Sequence, residues 1–164
     1  MTSMIGPTCT PTIMASHREK LQSAAEAFCE AFSQNKDLDT ILGHFSSQDE
    51  ICAIEYGLPK LAPFLGRPFV GKDKVRGYFE TIGALLSYSE IRFSEYVVDA
   101  ESLKVSVKGN GRFMWKSTGV EWDEVFTYTL DFDDAFKVLR YQIWADSGAA
   151  YLARTGQTCD SSTI

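Results

Sequence analysis

VEWDEVFTYTLDF, Val120 to Phe132, is the stretch that decides the fold. Val120, Trp122, Phe126, Tyr128, Leu130 and Phe132 fall on one side of an alternation, and Glu121, Asp123, Thr127, Thr129 and Asp131 mostly on the other. A period of two over so long a run predicts a strand with one buried face. Working outward, SEIRFSEYVV (89–98), LKVSVKGNGRFMWK (103–116) and FKVLRYQIWAD (136–146) read as three more strands separated by turn-like residues. Together they predict an antiparallel meander. Gly109 and Gly111, inside one of those strands, predict a bulge or sharp bend that lets the sheet wrap.

Upstream the period is helical. Ser16 followed by Glu19 is a capping-box pattern, and Leu21, Ala24, Ala25, Phe28 and Phe32 then recur on one helix face. A short helix is expected over Leu38 to Leu42 and a longer one over Gly71 to Leu86, with Val75, Tyr78, Phe79, Ile82 and Leu86 as its stripe. Between them EICAIEYG (50–57) reads as a strand with Cys52, Ile54 and Tyr56 on one face, followed by a Pro-rich linker at 59–68. Helices first and a meander afterwards predict an α+β domain, a cone-shaped curved antiparallel sheet with the N-terminal helices packed on its concave face. The domain spans 16–153, between polar tails at 1–15 and 154–164.

The 164 residues suit one domain. A composition of 45% hydrophobic and 13% aromatic residues excludes a disordered chain. A net charge of -6 without a basic cluster argues against nucleic acid and anionic lipid as partners. No apolar run approaches the ~20 residues needed to cross a bilayer. The N-terminus lacks the layout of a secretory signal, so a cytoplasmic protein is expected. Cys9, Cys29, Cys52 and Cys159 form no metal or disulfide pattern and read as free thiols. His17 and His44 are too scattered for metal work. GNGRF lies within a strand pattern rather than before a helix, so no metal and no cofactor is expected.

The chemistry centres on two carboxylates. Glu124 is the one acid on the apolar face of its strand, and Asp146 ends the next strand in the alternation Val138, Arg140, Gln142, Trp144, Asp146. If Phe132 pairs with Val138, Glu124 faces Asp146; if it pairs with Phe136, Glu124 faces Trp144 and Asp146 lies diagonally. The other parity separates them. Two carboxylates on an aromatic face cannot both ionise cheaply, which leaves an acid and a base in one pocket. The structural alternative is that Asp146 caps the segment SGAAYLA and Glu124 pairs with Arg112 or Arg140. Tyr56 is expected to point into the same cavity and hydrogen-bond a ligand carbonyl, with Tyr78 as a second phenol. Trp115, Trp122, Trp144, Phe113 and Tyr128 are the rings expected to line it.

An amphipathic first helix, a strand, FVGKDKVRGYF (69–79) opening a helix and a meander closing on IWAD (143–146) resemble the nuclear transport factor 2-like superfamily, in its SnoaL-like branch, over roughly residues 16 to 153. FVGKDKV is similar to that branch's helix entry and VLRYQIWAD to its last strand. In limonene-epoxide-hydrolase-like members a Trp-x-Asp supplies the water-activating carboxylate, which Trp144 and Asp146 match. Their Arg-x-Asp partner has no counterpart on the preceding strands. IEYG resembles the Asp-Tyr segment of scytalone-dehydratase-like members, with Tyr56 as the tyrosine, but their catalytic histidines are absent. The resemblance implies a cofactor-free acid/base enzyme that isomerises, cyclises, rearranges or dehydrates a small, mostly apolar oxygenated metabolite in natural-product biosynthesis. Asp146 would be the general base, Glu124 the proton donor or the tuning partner of that base, and Tyr56 would orient or polarise a carbonyl. The alternative is a non-catalytic small-ligand-binding or scaffold domain, a homodimer through the outer sheet face with Val125, Tyr141 and Ile143 in the contact.

Overall fold

The computed structural model describes residues 15–158; Cys9, Cys159 and most of both expected tails lie outside them. Helix α1 (His17–Ser33) starts as its sequence dictates: Ser16 Oγ accepts from the Glu19 N–H at 3.2 Å, and Glu19 Oε2 accepts from the Ser16 N–H at 2.7 Å. Such a cap contributes about 1 kcal/mol. The helix buries Leu21, Ala25, Phe28, Cys29, Ala31 and Phe32. Phe28 is fully enclosed and meets Phe32, Phe45 and Tyr141 edge-on. Filling that site removes one phenyl ring from water, worth roughly 2–3 kcal/mol. Helix α2 (Leu38–Leu42) is capped by Asp37, and α3 (Lys72–Leu85) enters through Gly71.

Six strands form one curved sheet in the order β2-β1-β6-β5-β4-β3. They are β1 (Cys52–Glu55), β2 (Phe69–Val70), β3 (Leu86–Asp99), β4 (Lys104–Trp115), β5 (Val120–Phe132) and β6 (Val138–Trp144). The meander β3 to β6 is antiparallel, as expected, while β1 joins β6 in parallel. Strand β2, two residues directly after the Pro-rich linker, carries too little pattern to be read in advance. The linker at 59–68 is irregular but packs into the core. Ala62, Phe64 and Leu65 are buried, and Arg154 of helix α4 (Ser147–Arg154) donates to the Lys60 and Leu61 carbonyls.

The extra residues lie on β3, and the first bulge opens opposite Gly111, while Gly109 stays in regular register. Register shifts fall between Ser89 and Arg92 and between Ser94 and Val97, and Glu90 and Glu95 there take φ of 55° and 57°. Each adds a residue in a left-handed conformation that non-glycine residues rarely enter. The inward residues accordingly run Leu86, Tyr88, Ile91, Phe93, Tyr96, Val98, with spacings of two and three alternating. The near-repeat SEIRF–SEYVV supplies both bulges with the same Ser-Glu pair.

A third irregularity shifts β6. Phe132 pairs with Val138, but Asp131 pairs with Arg140, so Leu139 is an extra residue. Beyond it the parity reverses: Tyr141 and Ile143 face the core, while Arg140 and Trp144 face outward. The first register considered above holds at the hairpin, and one bulge later the other parity applies.

Candidate active site

The inner faces of β1, β3, β4, β5 and β6, roofed by α1 and α3, enclose a cavity whose apolar wall includes Phe32, Phe79, Ile82, Ile91, Phe113 and Phe126. The centre of a water-sized sphere has about 80 Å³ to move in. That is room for a small molecule, because a single water needs only about 10–15 Å³ on this measure. Polar groups are few and converge: Glu55, Tyr78, Tyr128 and Tyr141 in one group, Glu124, Trp122 and Asp146 in another. A mostly apolar hollow with a few aimed polar groups is the usual form of a small-molecule site.

Glu124 is buried on the inward face of β5, as its alternation predicts, with 9% of its surface exposed. Trp122 Nε1 donates to its Oε2 at 2.8 Å, and the backbone N–H of Asp146 donates to its Oε1. Burial raises its pKa; the Trp122 bond, then the Asp146 N–H, oppose that rise, and the Asp146 charge adds slightly to it. The expected alternative salt bridge does not form. Arg112 grips Asp123 with two nitrogens at 2.9 and 3.2 Å, and the Arg140 guanidinium lies 3.9 Å from Asp131.

Asp146 reaches the cavity rim by a different route from the one expected. The strand ends at Trp144, and the Asp146 carboxylate turns to cap α4, accepting from the Ala149 N–H at 3.0 Å. Its backbone contacts Glu124 while its side chain does a structural job, so the capping alternative describes the geometry. The two acids meet, but not as a pair of facing carboxyls.

The second inward acid is Glu55, which the sequence reading passed over. In β1 the phase is opposite to the expected one: Ile51 and Ala53 are buried and Glu55 lines the cavity, while Cys52, Ile54 and Tyr56 share an outer groove with Arg140. The register explains this, since Ala53 pairs with Tyr141 and Glu55 with Ile143, both inward residues of β6. Tyr78 Oη donates to Glu55 Oε2 at 2.8 Å. Burial pushes the Glu55 carboxyl up to about 8, with the Tyr78 bond opposing and the charge of Glu124 adding to the rise. The alternation Ile51, Ala53, Glu55 was a visible signal, but a periodicity argument assigns a glutamate to solvent.

The remaining expected site residues divide. Tyr78, Phe113, Trp122 and Tyr128 line the cavity. Trp115 is buried structural core, stacked on Phe64. Tyr56 and Trp144 are on the outer face, stacked at 4.6 Å with the Tyr56 hydroxyl donating to Gln142 Oε1, so neither reaches the cavity. Tyr141 and Ile143 are buried too, which removes them from an outer-face contact and leaves Val125 as the exposed member of that set. Tyr128 and Tyr141 stand edge-on at 4.8 Å. Among the described residues no group of three His, Cys, Asp or Glu is placed to hold a metal, and no helix is long and apolar enough to cross a membrane.

N-terminal helices packed on a six-stranded, curved and unclosed sheet form the nuclear transport factor 2-like fold, and this chain has it. A nuclear transport factor 2-like protein of unknown function from Burkholderia pseudomallei superposes with a TM-score of 0.69 at 14% identity, over 82% of this chain and 96% of that one. A Bacillus subtilis protein proposed to be an isomerase aligns with a TM-score of 0.69 at 14% identity, over 89% and 100% of the two chains. A Mesorhizobium loti protein proposed to be a SnoaL-like polyketide cyclase aligns with a TM-score of 0.59 at 13% identity, over 75% and 97%. No family sequence model matches the chain, and no curated protein matches it by sequence.

Proposed function

We propose that the protein is a cofactor-independent enzyme that moves protons on a small, mostly apolar, oxygenated metabolite, isomerising or cyclising it. The observation that carries this reading is the pair of inward glutamates in one aromatic cavity, with the charge of Glu124 adding to the rise of Glu55. Environments that push two acids apart mark the acid and the base. Glu55, neutral at pH 7 with its carboxyl at about 8, is the proton donor. Glu124, whose ionised form is held by two N–H donors, is the proton acceptor. The base takes a proton from carbon next to a carbonyl and the acid returns one elsewhere, so atoms balance without a redox partner. The phenol of Tyr128 supplies a hydrogen bond to the substrate oxygen, Tyr78 holds Glu55 in place, and the surrounding rings exclude water. The likeness to proteins proposed as an isomerase and a cyclase supports this reading at the level of fold.

Incubating the protein in D₂O with a panel of neutral ring ketones tests it, with NMR reading both deuterium uptake at enolisable carbon and conversion. Wild type is expected to exchange or convert at least one member, and both Glu55→Gln and Glu124→Gln to lose that signal. A panel on which wild type and Glu124→Gln behave alike would sink the assignment.

A further inference from the structure

Strand β4 carries glycine at two successive inward positions: Gly111 faces the first β3 bulge, whereas Gly109 pairs in regular register with Phe93 on one side and Phe126 on the other. A Cβ at Gly109 would come within 2.2 Å of Phe126 Cε2 and 2.4 Å of Cζ; one at Gly111 would come within 2.2 Å of Ile91 Cδ1. Phe126 and Ile91 both line the cavity. Phe126 is the cross-strand partner of Gly109, and Glu124 is the partner of Gly111. The Phe126 ring therefore lies down across β4, in the volume that any side chain at position 109 would take. Phe93 and Phe113 meet it edge-on at 5.9 Å and Tyr128 lies 5.0 Å away, which blocks sideways escape. The way left for the ring is up from the sheet, into the cavity. Ile91 can swing its terminal methyl aside by a rotamer change, whereas a phenyl ring is rigid and must move whole.

We propose that Gly109 is a specificity-determining residue: by letting Phe126 lie flat it sets the depth of the cavity beside Glu124, and so the largest ring that can reach the two glutamates. The inference rests on the cavity being the substrate site, as proposed above. A methyl group at 109 would act at a distance, through Phe126, as a plug.

Crystal structures and calorimetric titrations with phenol and 2-naphthol test it. In Gly109→Ala the Phe126 ring is expected to stand in the cavity and 2-naphthol to bind at least about ten-fold more weakly, with phenol changed by less than about three-fold. Adding Phe126→Leu to that variant restores 2-naphthol binding. A Phe126 ring unmoved in Gly109→Ala, unchanged 2-naphthol binding, or a wild type that does not take up 2-naphthol overturns the proposal. Should Gly109→Ala fail to fold, Phe126→Leu alone reads the same gauge: it is expected to bind 2-naphthol more tightly than wild type, and equal or weaker binding overturns the idea. These titrations need no turnover, so their failure leaves the acid/base reading standing. An absence of deuterium exchange likewise leaves the gauge standing.

Discussion

Glu55 and Tyr56 are neighbours in sequence and opposites in environment. The first puts its carboxyl into a ring-lined hollow against Tyr78 and Glu124; the second stacks on Trp144 in contact with solvent and is 38% exposed. The same division runs along β6, where Tyr141 and Ile143 line the cavity and Arg140 and Trp144 do not. A strand offers identical backbone to both faces, so the difference is made by what each face meets. Inside, every charge is costly and is answered by a hydrogen bond or a proton; outside, water answers it.

The sharpest way to break this comparison is turnover, on whichever substrate the exchange screen yields. Glu124→Gln is expected to lose at least ~10²-fold in kcat, while Tyr56→Phe stays within about two-fold. Comparable losses in the two variants would erase the distinction between the faces. Asp146→Asn keeps an oxygen to cap α4, so kcat should remain near wild type. A loss of ~10²-fold there would restore Asp146 as the base.

Next comes stability. Glu55 titrates near 8 in the folded chain and near 4.5 when unfolded, so the folded state holds the extra proton between those values. Stability therefore falls as pH rises through that window, and the full penalty applies above about pH 8. Glu55→Gln removes this slope and should be more stable than wild type at pH 8 by on the order of a few kcal/mol, with little difference at pH 4. Chemical denaturation at the two pH values reads it, and parallel pH profiles would show that Glu55 is not held protonated. Activity should also decline above about pH 8 as the donor loses its proton.

Smaller effects follow. Asp146→Ala removes the carboxylate that caps the Ala149 N–H and should cost about 1 kcal/mol in urea denaturation. Trp144→Ala removes the stack on Tyr56, for about 0.5–1.5 kcal/mol or less at this exposed position. A Trp144→Ala loss larger than that of Asp146→Ala would mean that the outer face carries more of the structure than its exposure implies.

The architecture was legible where one principle dominated. The Ser16–Glu19 box opened α1, Leu38 to Leu42 formed α2, and VEWDEVFTYTLDF faced inward as read, Glu124 included. It failed where a backbone irregularity, invisible to periodicity, moved the phase. Leu139 shifts β6 by one, so Trp144 and Asp146 left the face assigned to them. In β1 both alternating sets mixed polar and apolar residues, and hydrophobicity chose Tyr56 over Glu55. A buried acid is what a pattern rule discards, and functional sites are where such rules are expected to break. Glu124 faces the cavity as its alternation predicts, while the carboxylate beside it there is Glu55 rather than Asp146.

The extra residue at Leu139 behaves like a reading-frame correction written in backbone rather than in codons. Were Leu139 instead to pair with Asp131 as an ordinary strand residue, the remainder of β6 would slide by one place, carrying Arg140 and Gln142 toward the hollow and Tyr141 and Ile143 out to water. Every residue would be retained, yet the Tyr141 ring that stands edge-on to Tyr128 would be gone from the cavity. Substitutions can tune this container, but a slip of one residue there would turn part of it inside out.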